Sequence, residues 1–79
     1  MVTVFRARGL HIHIFKNDHE PAHVHVYRSG EVKINLAGAD GLPEIIEVKR
    51  MKLRDAAKAL ALVAEQQEFL FAQWRRYHG

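Results

Sequence analysis

A chain of 79 residues with six histidines, no cysteine and twelve Lys or Arg against nine Asp or Glu can enclose one hydrophobic core. The missing thiols exclude disulfides, thiolate catalysis and cysteine-ligated zinc, and no apolar run is long enough for a signal peptide or a bilayer span. The expectation is a single domain over residues 1–79 in the cytoplasm, and its formal charge of +3 tilts only slightly towards an anionic partner such as nucleic acid.

Val2 to Arg8 alternates as a first strand, with Val2 and Val4 on one face, and Gly9 punctuates it. Leu10 leads into a second strand from His11 to Lys16. Asn17 to Pro21 reads NDHEP, in which Asn and Asp bond their own backbone and Pro21 holds Glu20 extended. A third strand runs from Ala22 to Arg28, Ser29-Gly30 turns the chain, and a fourth strand runs from Glu31 to Leu36. Ala37 to Pro43 is a loop of small residues and breakers. Glu44 to Arg50 suits a fifth strand with Ile46 and Val48 inward, although Ile45 interrupts the alternation.

From Leu53 to Tyr77 the period becomes helical. Leu53, Ala56, Leu60, Val63, Ala64, Leu70, Phe71 and Trp74 form an apolar stripe at spacings of three and four. About 24 helical residues would extend roughly 36 Å, and Gln66-Gln67 interrupts the stripe, so a bend or break is expected there. The inward set of Val4, Ile12, Ile14, Val24, Val26, Val32, Ile34 and Ile46 meets this stripe. The predicted fold is therefore α+β and two-layered: an antiparallel meander of four to five strands packed on one long C-terminal helix.

Five of the six histidines fall between His11 and Tyr27, as His11-Ile12-His13-Ile14 and His23-Val24-His25-Val26 around the polar loop. Alternation turns Ile12, Ile14, Val24 and Val26 to the core and all four strand histidines to the face away from the helix. The natural register sets His11 against Tyr27, His13 against His25 and Phe15 against His23, with facing Cβ atoms about 4.5–5.5 Å apart. Such a face can be solvated surface, a set of imidazole metal ligands, or a source of general acid and base at neutral pH. Within the two strands no acidic ligand shares it, since Asp18 and Glu20 sit in the loop. Lys49, Arg50, Lys52 and Arg54 make a basic run that reads as solvated, and Trp74 reads as core. No Walker loop, GxGxxG or Ser-His-Asp arrangement is present.

The segment Asn17-Asp18-His19-Glu20-Pro21-Ala22-His23-Val24-His25-Val26 resembles the hallmark of a family of short bacterial proteins, domain of unknown function 4160, whose pattern is N-E-x-x-E-P-P-H-V-H-V-like. Val4-x-Arg6 and Gly9 fit its opening, Gly30-x-x-Lys33 its next hairpin and Trp74-x-x-Tyr77 its closing helix. The chain departs from it at Asp18, at Ala22, and at His11 and His13. The resemblance puts the functional weight on His23 and His25. It also implies a small protein partner encoded alongside, in an arrangement similar to toxin–antitoxin pairs.

The expected function is that of a small protein in such a two-gene module, binding an antitoxin-like partner and RNA. As an enzyme it would be a metal-independent ribonuclease without cofactor. His23 and His25 would then be acid and base, Glu20 would orient one of them, and Arg6, Arg8 and Lys33 would contact phosphate. The rival readings are a non-enzymatic interaction module that dimerises or pairs through its open sheet edges, and a histidine-rich metal-binding protein.

Overall fold

The computed structural model describes residues 1–79. Five strands, β1 (Val2–Ala7), β2 (Leu10–Ile14), β3 (His23–Tyr27), β4 (Glu31–Asn35) and β5 (Glu44–Lys49), precede two helices, α1 (Leu53–Glu65) and α2 (Gln67–His78). The strands form one antiparallel sheet in sequence order, which is the expected meander with all five members. No helix is long and apolar enough to cross a membrane.

The turns follow from local chemistry. Arg8 and Gly9 both take positive φ, 55° and 77°, and join Ala7 to its partner Leu10, as a two-residue hairpin with right-handed strand twist requires. At Gly30 a Cβ would lie 2.5 Å from the Arg50 carbonyl oxygen, so the β3–β4 turn packs backbone against backbone and admits no side chain.

Ile12, Ile14, Val24, Val26, Val32 and Ile34 are completely buried on the inner face, against Ala59, Leu62, Val63, Leu70 and Trp74 of the helices. Each fully buried aliphatic side chain contributes about 1.5–3 kcal/mol relative to an exposed one. Two bulges correct the inward set. Beside β2 the register shifts between Thr3 and Phe5, so Val4 and Phe5 both pack on the core. Along β5 Ile34 pairs with Ile45 and Lys33 with Glu47, leaving Ile46 as the extra residue. Ile45 therefore packs on the core, while Ile46 is 46% exposed. Val48 stays opposite Val32 but remains exposed, on an edge strand with no outer neighbour.

The single long helix is also corrected. A straight helix of that length, about 36 Å, would exceed the longest dimension of the molecule, 33 Å. The chain breaks at Gln66, with φ −108° and ψ 19°. Next to it, Gln67 Nε2 donates to the carbonyls of Leu36 (2.7 Å) and Gly41 (2.9 Å). The break falls where the apolar stripe lapses, and the amide pins it to the β4–β5 loop. Leu53 is 82% exposed rather than part of the buried stripe, and Met51 is buried just before the helix. Ala64 likewise faces solvent.

Candidate functional site

Of the predicted pairs, His11 faces Tyr27 and His13 faces His25. The four strand histidines nevertheless separate into two kinds. His11 is exposed. His13 is half-buried, with its ring 4.7 Å from that of Tyr27 and its Nδ1 2.8 Å from Met1 Sδ. Burial, then the charges of His11, His25, Arg6 and the N-terminus, push the His13 pKa below its ordinary value.

His23 and His25 are tied into a polar cluster. His23 is the one buried polar residue, and its Nδ1 lies 2.9 Å from the Pro21 carbonyl oxygen. Its Nε2 lies 2.9 Å from Asp18 Oδ2. The same carboxylate oxygen is 3.0 Å from His25 Nε2, and His25 Nδ1 is 2.7 Å from Glu31 Oε2. Phe15 packs edge-on against the His25 ring, centroids 4.5 Å apart. The Asp18 amide bonds back to the Phe15 carbonyl at 3.1 Å, and this turn carries the carboxylate over the end of the sheet. Burial raises the Glu31 carboxyl, but hydrogen bonds from His25 and Tyr27, with the charges of His25 and Lys49, hold its pKa below the ordinary value overall. Tyr27 is pushed up by its burial and by the adjacent Glu31.

His23 does not lie clear of the helix, as alternation alone implies. Its ring is 5.3 Å from that of Trp74, because the C-terminal half of α2 reaches the loop end of the sheet. There His78 stacks on Trp74 at 3.6 Å and its Nε2 meets the Phe15 carbonyl at 3.0 Å. Trp74 Nε1 donates to Glu20 Oε2 at 3.0 Å. Glu20, expected to orient a histidine, thus fastens the loop to α2, and Asp18 and Glu31 hold the imidazoles instead.

Of the cations expected at phosphate, only Lys33 is gathered to the cluster. It sits opposite His25 and shares with Asp18, His23 and Asn35 the wall of an open cleft of about 420 Å³. Arg6 is exposed on β1 beside His11. Arg8 is engaged by Glu65 through two contacts of 3.0 and 3.3 Å. The bulged Ile46 also lines the cleft.

Two participants were passed over in the sequence. Glu31 was discoverable: pairing His25 with Lys33 makes it the diagonal neighbour of His25, within reach on the same face. Asp18 carried one signal, as the loop carboxylate at which the chain departs from the resembled pattern. The family model described as Domain of unknown function (DUF4160) matches residues 9–75, a span that holds the whole cluster. No curated protein and no solved structure matches the chain.

Proposed function

The chain belongs to the domain of unknown function 4160 family, and we propose that it is a small cytoplasmic RNA-binding and RNA-cleaving protein of a toxin–antitoxin-like two-gene module. One observation carries this reading. Asp18 and His23, with His25 joined to them through the Asp18 carboxylate, border a cleft whose wall also holds Lys33 and Asn35. Lys33 supplies a cation for a phosphodiester, and Asn35 supplies donors and an acceptor. The imidazoles supply sites at which protons can be taken up and released. Cleaving RNA next to a ribose 2′-hydroxyl demands this combination, since one oxygen loses a proton while the leaving oxygen gains one. Arg6 and Arg8 contribute at most to long-range attraction, because neither borders the cleft.

Incubation of purified protein with mixed RNA, beside a His23→Ala/His25→Ala variant, tests the reading. Cleavage by the parent and its loss in the variant are expected. Equal cleavage by both, or none by either, removes it.

A second reading, an interaction module, is favoured by β5. This strand is a sheet edge with Ile46 and Val48 exposed, and edges of this kind recruit further strands. Its sequence Glu44-Ile45-Ile46-Glu47-Val48-Lys49 is self-complementary when paired antiparallel about its centre, with Glu44 against Lys49 and Ile45 against Val48. Sedimentation should show a dimer that Val48→Lys weakens by about tenfold or more, since this register sets Val48 against Ile45 of the second copy and the change turns an apolar contact into a charge. A monomer at millimolar concentration excludes self-pairing.

A further inference from the structure

We propose that Asp18, His23 and His25 form a binding site for a single borderline first-row divalent cation of the Zn2+ class. The inference deepens the reading above by naming a cofactor for the same cluster, while cation binding itself does not depend on RNA.

Donors and acceptors in the cluster do not balance. His23 Nδ1 faces a backbone carbonyl and His25 Nδ1 faces a carboxylate, so in neutral rings both Nδ1 atoms must carry the hydrogen. Both Nε2 atoms then present lone pairs to Asp18 Oδ2, at 2.9 and 3.0 Å. Three electron-pair donors converge on one region, where only positive charge relieves their repulsion. Burial raises the cost of leaving such groups unresolved, and the imidazole side chains of His23 and His25 are only 7% and 13% exposed. Two protons, with Asp18 and Glu31 as counter-charges, or one dication would relieve it, and the dication also forms coordinate bonds.

The spacing of the three donor atoms is close to that around one ion. Two atoms each about 2.1 Å from a shared tetrahedral ion lie roughly 3.4 Å apart, and the histidine nitrogens stand 2.9 and 3.0 Å from Asp18 Oδ2. The three donor atoms lie within 4.8 Å of one another. In tetrahedral coordination the two histidine nitrogens would also sit roughly 3.4 Å apart, so the rings need to close by no more than ~1.4 Å. The outer hydrogen bonds to Pro21 and Glu31 are those that orient ligating imidazoles and raise their basicity.

The donor types select among metals. Two imidazoles with one carboxylate suit zinc, iron, cobalt or nickel, and disfavour magnesium and calcium, which take oxygen. Three protein ligands leave a position for water or a phosphate oxygen, and the cleft beside Lys33 gives access to it. A cation there stabilises charge on a phosphoryl oxygen and acidifies a bound water, which takes over the proton transfer that the ligating imidazoles give up, so RNA cleavage becomes dependent on it.

Titration of untagged full-length chain with Zn2+ by calorimetry, with Mg2+ as control, tests the proposal. One Zn2+ per chain should bind with micromolar or tighter affinity, and Asp18→Asn or His25→Gln should weaken it by about tenfold or more. The exposed-histidine variants His11→Ala and His19→Ala should leave it unchanged. Co2+ added to the parent protein should give a visible ligand-field absorption, a readout independent of whether the variants fold. Zn2+ affinity no better than ~1 mM, no Co2+ spectrum, or loss on changing His11 or His19 alone would overturn the site. RNA cleavage that persists in chelator overturns the cofactor role and spares the ribonuclease reading. Tight Zn2+ binding without any RNA cleavage does the reverse.

Discussion

Asp18 Oδ2 is shared by two imidazoles, and each imidazole is held from behind by a second acceptor. The cluster is therefore braced on both sides of the shared oxygen. Glu31 is the outer brace whose titration can be followed. Its ordinary value is 4.5 and its folded value lies below that, because the pull of His25, Tyr27 and Lys49 outweighs burial. A depressed carboxyl contributes stability above its unfolded pKa, and that stability is lost as pH falls through the folded value. Urea unfolding across acid pH should accordingly show a decline below about 4.5, and Glu31→Gln should flatten it. An unchanged slope in the variant would mean that His25 does not hold the Glu31 anion. Little of this was legible beforehand. His23 and His25 announced themselves by alternation and resemblance, whereas their partners depend on how a loop folds back and on a diagonal across two strands.

At the scale of elements, the strands were legible because Ile12, Ile14, Val24, Val26, Val32 and Ile34 alternate cleanly with polar neighbours and all end fully buried. The bulges at Val4 and within β5 were not. One extra residue reverses every later side chain in a strand, and only the partner strand shows where it sits. Ile45 marked the irregularity, but its placement in the core needed the pairing with Ile34. The helix break shows the same division. Gln66-Gln67 is visible as a lapse in the stripe, yet the cause is a contact between Gln67 and the β4–β5 loop. Gln67→Ala should cost about 1–3 kcal/mol by leaving the Leu36 and Gly41 carbonyls without that donor, measured by urea denaturation. A change within about 0.5 kcal/mol, the usual size for surface substitutions, would mean that the amide follows the break rather than fixing it.

At the scale of the whole molecule, the cluster joins residues that the sequence keeps apart. The β2–β3 loop gives Asp18, β3 gives His23 and His25, β4 gives Glu31, and α2 closes the end through Trp74, which holds Glu20 and abuts His23. The α+β class and the meander were legible because each is a sum of local patterns. The closure by α2 was not, since it joins positions more than fifty residues apart. Trp74 on the apolar stripe gave its burial without giving its neighbour. Convergence of these elements on one cation is tested most directly by nitrogen-15 NMR of the imidazole rings during Zn2+ addition. The Nε2 signals of His23 and His25 should shift together and saturate at one Zn2+ per chain, while His11 and His19 stay still. Shifts confined to His11 and His19, or none at all, would contradict it.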